Sequence, residues 1–168
     1  MNIRIEIPSD SEIINSIISC AFETDAEANL VERLRRTADP FWSIVAEVGG
    51  ALVGHVLLTS VTLEDAPDGM RLMGLAPLAV LPNHQKQGVG AALMEAAINK
   101  CRSEGVAAIV LLGNPAYYGR FGFVMSEGYG IKSIYDVPPE YFMILPLLEE
   151  GLHGVAGTVH YHSSFDGL

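Results

Sequence analysis

The sequence predicts a single α/β domain, and three observations carry that reading. Two apolar runs, Ser43 to Val48 and Ala51 to Leu63, flank the pair Gly49-Gly50, which is the pattern of a β-hairpin. A long apolar run from Arg71 to Leu81 is followed by a glycine-opened amphipathic stretch and a second apolar run, Ala107 to Leu112, which together make a βαβ unit with a parallel strand pair. Ahead of both lie a strand-like alternation and two segments of helical spacing. At 168 residues the chain is long enough for one sizeable core, and residues 1–168 are expected to form one domain.

Taken in order, Asn2 to Ile7 alternates like a strand. Ser9 to Glu12 has the spacing of a capping box, and Ile13, Ile14, Ile17, Ile18 and Ala21 then recur at helical intervals. A second helix is expected from about Asp25 to Arg36, with Leu30, Val31 and Leu34 as its buried stripe, and Pro40 ends the link to the hairpin. Asp65-Ala66-Pro67-Asp68-Gly69 is turn chemistry. The helix from about Gly88 to Ser103 puts Val89, Ala92, Leu93, Ala96 and Ala97 on one face, with Gly105 as its C-terminal stop. A short helix is expected from Pro115 to Arg120, and strands from about Gly128 to Ile134 and Val155 to Tyr161. Pro138 to Phe142 begins a segment that is open between strand and turn.

Composition narrows the class of function. Hydrophobic residues at 49% and charged residues at 18% describe a compact globular chain. No apolar run approaches the length of a membrane span, and the N-terminus lacks the basic start and apolar block of a signal peptide, so a cytoplasmic protein without a membrane partner is expected. Cys20 and Cys101 make neither a disulfide framework nor a metal-ligand spacing and read as reduced core thiols. His153, His160 and His162 cluster, but the cluster lacks a further ligand at suitable spacing, so no metal is expected. A net charge of −10 argues against nucleic acid as a partner and is compatible with a cationic amine.

The most informative stretch is L-A-V-L-P-N-H-Q-K-Q-G-V-G-A-A-L, Leu78 to Leu93. An apolar run ends at Pro82, polar residues follow, and Gly88 and Gly90 open a helix whose first N–H groups have no intrahelical partner. The helix dipole adds partial positive charge there, and glycines let a phosphate approach the backbone. A nucleotide-triphosphate loop needs Lys and then Ser or Thr after the second glycine, where this chain has Ala91 and Ala92. A dinucleotide fingerprint needs a third glycine, where this chain has Leu93. What remains is Q-x-x-G-x-G, at Gln85, Gly88 and Gly90, behind the strand L-A-V-L-P.

That arrangement resembles the acyl-CoA-binding motif of the GNAT superfamily of N-acetyltransferases, V-x-P-x-x-[QR]-x-x-G-x-[GA], with Val80, Pro82, Gln85, Gly88 and Gly90 on pattern positions. A second block, Gly113 to Phe123, carries Y-x-x-x-G-F at Tyr118, Gly122 and Phe123 and is similar to the superfamily's second motif. The stretches Val31 to Arg35, Ala46 to His55 and Gly157 to Phe165 look like a bacterial branch of acetyltransferases with unassigned acceptors, and the resemblance runs from about Ile3 onward.

The resemblance implies a mixed, mainly antiparallel central sheet flanked by helices, with one parallel strand pair splayed around acyl-CoA. It implies acetyl-CoA as donor, transfer of the acetyl group to a primary amine of a small molecule or peptide by direct attack on the thioester, and no metal. Carried onto this chain, it points to backbone groups of Leu78, Ala79 and Val80 for the pantetheine arm, with a Val80 N–H as oxyanion partner. Gln85, Lys86, Gln87, Gly88, Val89, Gly90 and Ala91 form the pyrophosphate cradle, and Asn114 is a further cofactor contact or a turn former before Pro115. Tyr118 is the expected general acid, with Tyr117 pointing elsewhere. Candidate bases are His55 and Glu47 on the hairpin, with Glu64 and His84 behind them and a water relay as the alternative. The acidic helix around Glu23 to Glu32 is expected to wall the acceptor site, and the resemblance also allows a homodimer through the C-terminal strands. The competing function is a non-catalytic acyl-CoA sensor on the same fold.

Overall fold

The computed structural model describes residues 1–148, Leu152 and residues 154–166. They form two compact units, one made of Met1–Thr59, Ala76–Ala97 and the stretch from Ser163, the other of Ser60–Leu75 and Ile98–His162. Strands β3 (Ala51–Leu63) and β4 (Leu72–Val80) and helix α3 (Val89–Ser103) begin in one unit and end in the other. Strand pairing is mostly antiparallel, with helices supplied from between the strands.

In the first unit β1 (Asn2–Ile5) pairs antiparallel with β2 (Phe41–Val48), and β2 pairs antiparallel with β3 across the expected Gly49-Gly50 turn. Both glycines have positive φ, +60° and +80°, as a tight hairpin turn requires. The register slips between Ala46 and Glu47, a bulge that frees the Val53 carbonyl to accept from Leu81 N–H at 2.9 Å. Helix α2 (Ala26–Thr37) buries Leu30, Val31 and Leu34, the stripe its spacing predicts, whereas α1 (Ser11–Phe22) buries Ile14, Ile17 and Ile18 but leaves the expected Ile13 exposed, on the solvent side of the helix, and Ala21 half-buried. Gly54 explains how closely α3 lies on β3. A side chain there would place its first carbon 2.9 Å from Leu93 Cδ1 and 3.0 Å from Val89 Cγ1.

The capping expectation at Ser9 and Glu12 fails. Pro8 starts a single 3-10 turn, Pro8–Asp10, so the carboxylate that looks back at the chain belongs to Asp10. It accepts from Ile7 N–H at 2.8 Å and from Arg4 at 2.7 and 3.1 Å.

In the second unit β4 runs parallel to β5 (Ala108–Leu112), pairing Leu72 with Ala108, Met73 with Ile109 and Gly74 with Val110. The ladder ends there, although β5 continues to Leu112. On its other edge β5 pairs antiparallel with β8 (Phe142–Pro146), and β8 with the short β6 (Val124–Met125). The C-terminal strand β9 (Gly157–His160) pairs antiparallel with the end of β3 and parallel with β7 (Ile131–Ser133), a second parallel contact the sequence did not announce. Val61, Leu72, Val110, Ile131, Ile144 and Val159 centre its core.

Other expectations are sharpened here. The segment left open at Pro138 resolves into a 3-10 turn, Pro139–Tyr141, and then β8. Helix α3 ends with Gly105 at φ +73°, where Val106 N–H donates to Cys101 O and Gly105 N–H to Arg102 O, the double bond of a glycine-terminated helix. Cys101 is buried as expected, and burial pushes its thiol up to about 12, whereas Cys20 is exposed and is not a core thiol. The reason is position: Cys20 lies on the outer face of α1, off the Ile14-Ile17-Ile18 stripe. Among the described residues no helix is long and apolar enough to cross a membrane.

Candidate active site

The cradle forms as a strand, a turn and a helix N-terminus. From Ala76 to Val80 burial alternates, with Pro77 and Ala79 turned inward and Leu78 and Val80 half-exposed on the other face. Backbone polar groups alternate as well. Leu81 N–H engages β3, so Val80 and Leu78 direct theirs away from β3, while Ala79 turns its carbonyl toward Gly54. Pro82–His84 is a 3-10 turn closed by His84 N–H to Leu81 O at 2.8 Å. Gln85 is then extended, Lys86 has φ +60° and Gly88 φ +85°. A lysine in the left-handed region is uncommon, and such strain concentrates at functional turns.

The first bond of the α3 ladder runs from Ala92 N–H to Gly88 O at 3.0 Å. The N–H groups of Val89, Gly90 and Ala91 therefore precede the ladder, at the positive end of the helix dipole. Two glutamines brace the turn. Gln85 Nε2 donates to Val80 O and Gln87 Nε2 to Asn83 O, each at 3.0 Å. The structure thus gives these predicted cofactor contacts a second task, holding the turn in shape. Lys86 and Gly88 are exposed and Gly90 is half-exposed.

The tyrosine block lies in the other unit. Asn114 caps the single turn α4 (Pro115–Tyr118): its Oδ1 accepts from Ala116 N–H at 2.9 Å and its carbonyl from Tyr117 and Tyr118 N–H at 3.0 Å. Of its two expected roles, turn former is the one with hydrogen bonds behind it. The ring of Tyr118 packs edge-on to Tyr117, centroids 4.8 Å apart, and to Phe123 at 6.1 Å. Burial pushes the Tyr118 phenol up to about 12. Its hydroxyl has no protein partner among the described residues. Tyr117 is covered by Arg120, whose guanidinium carbon sits 4.2 Å from the ring centroid.

The candidate bases are held elsewhere. His55 is fully buried, and desolvation lowers it to about 4. Its Nε2 lies 2.8 Å from Ser43 Oγ, and Ser43 Oγ lies 2.7 Å from Oε2 of Glu6, a carboxylate that accepts from Arg35 at 2.9 Å on Oε1 and 3.0 Å on Oε2. Ser43 has one hydroxyl proton, and the carboxylate accepts it, so the imidazole must donate from Nε2. Glu47 is occupied by Asn2 and Arg4, whose hydrogen bonds hold its carboxyl below the usual range. Glu64 accepts from His160 Nε2 at 2.6 Å, and His84 sits in the cradle turn with Nδ1 buried. His153 lies outside the described residues. Among the described residues no three His, Cys, Asp or Glu side chains gather as a metal site.

The family model for the acetyltransferase (GNAT) domain matches residues 2–125. This chain belongs to the GNAT acetyltransferase family. The protein named uncharacterized N-acetyltransferase YhbS of Escherichia coli strain K12 is 34% identical over 167 residues, spanning 99% of each chain. The crystal structure of that E. coli GNAT family N-acetyltransferase in complex with CoA superposes with a TM-score of 0.91, covering 98% of this chain and 91% of the other. A GNAT family acetyltransferase from Brucella melitensis in complex with acetyl-CoA is 32% identical, with a TM-score of 0.80 and coverage of 98% and 97%.

Within a GNAT chain, two residues that sequence reasoning passed over now stand out. Ser43 links His55 to Glu6, and nothing in a strand sequence marks which hydroxyl faces a histidine twelve residues on. Gly113 was visible at the head of the tyrosine block, but its reason is spatial: it lies against the Tyr118 ring.

Proposed function

We propose that this chain transfers the acetyl group of acetyl-CoA to a primary amine by direct attack on the thioester. Residues 1–168 would act as a single catalytic domain, in the cytoplasm, where acetyl-CoA is available. The observation that carries this reading is the turn after β4, where the leading N–H groups of α3 stand clear of the helix ladder in a GNAT chain. Relatives at 34% and 32% identity hold CoA and acetyl-CoA, which supports the same ligand here.

In this reading the N–H groups after Gln85, whose own N–H is taken by Pro82 O at 3.4 Å, bind the pyrophosphate as far as Ala91, with the Lys86 ammonium adding charge. Leu78 and Val80 offer backbone groups to the pantetheine amides, and Val80 N–H polarises the thioester carbonyl as negative charge builds on its oxygen. Tyr118 carries its proton at neutral pH, as a phenol at or above its ordinary value of about 10 does, and it donates to the sulfur as the carbon–sulfur bond breaks. A phenol pushed up to about 12 is a weaker acid than an ordinary thiol at about 8.5, so transfer of its proton to the departing sulfur has to be coupled to the proton that the amine nitrogen loses. The proton lost by the amine nitrogen balances the thiol that leaves. His55 is shut in the core and Glu47 is ion-paired, which favours deprotonation of the amine through water. The net charge of −10 favours a cationic acceptor.

A screen of primary amines with acetyl-CoA, read by release of CoA thiol and by the acetylated product, tests the reading. Product from at least one amine class is expected. Tight acetyl-CoA binding with no transfer to any amine would favour a sensor.

A further inference from the structure

Gly113 is a glycine whose backbone does not demand one, since its φ is not in the left-handed region, unlike Gly88 or Gly122. The constraint comes from a side chain. A Cβ at Gly113 would lie 2.3 Å from Cε2 and 2.6 Å from Cδ2 of Tyr118, and 3.2 Å from Leu111 Cδ1. Carbon atoms rest about 3.5–4.0 Å apart, so an added methyl would require a retreat of roughly 1 Å or more.

The backbone is tied against that retreat. Gly113 N–H donates to Tyr141 O at 2.9 Å, which ties the end of β5 to the residue that precedes β8. The ring therefore has to move, and Tyr117 and the buried Phe123 already border it on other sides. From these distances we infer that Gly113 is a positioning residue: its missing side chain forms the wall of a slot that sets where the Tyr118 hydroxyl stands. This rests on the proposed role of Tyr118 as proton donor. A misplacement of about 1 Å in a reacting group can cost on the order of 100-fold in rate.

The test is Gly113→Ala beside Gly119→Ala, a glycine of the same block with ordinary φ and no heavy atom within 4 Å of an added Cβ. Release of CoA thiol from acetyl-CoA is followed with water, and with the amine found by screening, as acceptor. Gly113→Ala is expected to lower kcat by on the order of 100-fold with KM for acetyl-CoA little changed, and Gly119→Ala to leave both unchanged. In a Tyr118→Phe background Gly113→Ala should cost little more, because the hydroxyl it displaces is gone. An equal fall in both backgrounds, or unchanged turnover in Gly113→Ala, overturns the inference. If Tyr118→Phe itself is fully active, it is the reading of Tyr118 that fails instead. If Gly113→Ala folds poorly, Tyr118→Ala, which removes the ring the methyl strikes, should restore the double variant to the melting temperature of Tyr118→Ala alone. Destabilisation that persists without the ring also overturns the inference.

Discussion

In the turn from Pro82 to Ala91 a lysine stands at the surface, and His84 and Gln85 N–H close the 3-10 turn. The two glutamine side chains are engaged, one with Val80 O at the end of β4 and one with Asn83 O, while the leading N–H groups of α3 precede its ladder. In the line Arg35–Glu6–Ser43–His55 the polar groups run inward to a fully buried imidazole, each linked to the next. Both look functional in sequence, since one holds glycines behind a strand and the other a histidine on a strand. They differ in what completes them. The buried line is bonded within the protein except at His55 Nδ1, which is buried without a partner among the described residues, and it joins α2, β2, β3 and the residue after β1, which makes it a structural element. The turn has donors left over and a lysine at φ +60°, and the proposed CoA pyrophosphate is what would complete it.

The largest expected effect on this contrast concerns the proton donor. Tyr118→Phe should lower kcat by about 10²–10⁴ with KM for acetyl-CoA nearly unchanged, since a positioned proton donor acts in the transition state. Steady-state kinetics with the screened amine decide it, and unchanged turnover across the pH range would remove Tyr118 from the chemistry.

Next comes the pH response of the buried line. His55 is lowered to about 4 when folded, against 6.5 when unfolded. Between those values the unfolded chain binds the extra proton, so stability rises with pH through this window and is lost as pH falls from about 6.5 toward 4. The full loss is of the order of 3 kcal/mol. Urea unfolding at several pH values should show this slope, and His55→Gln should flatten it.

A smaller effect is expected from Ser43→Ala, which strands the His55 N–H and leaves Glu6 Oε2 with Arg35 alone, for a loss of about 1–3 kcal/mol. Acetyl-CoA affinity should stay as in the parent. A Ser43→Ala variant that keeps its stability but loses turnover would make the line catalytic after all.

Much of this was legible in the sequence because it depends on local chemistry. Helical spacing located α1, α2 and α3, paired glycines located the hairpin, and Gly88 with Gly90 located the cradle. What stayed hidden depends on partners far along the chain. Gln85 is turned to Val80 O by the shape of the turn, Asp10 takes the cap because Pro8 redirects the backbone, and β6 is only two residues long. Whether His55 is a base or a core residue is decided by Ser43 and Glu6, twelve and forty-nine positions away, and no strand pattern carries that information.

The central claim is that the turn after β4 binds the CoA pyrophosphate through its backbone. Calorimetric titration of acetyl-CoA into the protein and into Gly88→Glu addresses it most directly. Nothing lies within 4 Å of an added Cβ at Gly88, so the variant should remain folded, with a cost of about 1–2 kcal/mol for a side chain at φ +85°. It would place a carboxylate where a phosphate is expected. Micromolar binding to the parent and none to Gly88→Glu is the predicted result. No binding to the parent, or equal binding to both, would contradict the account.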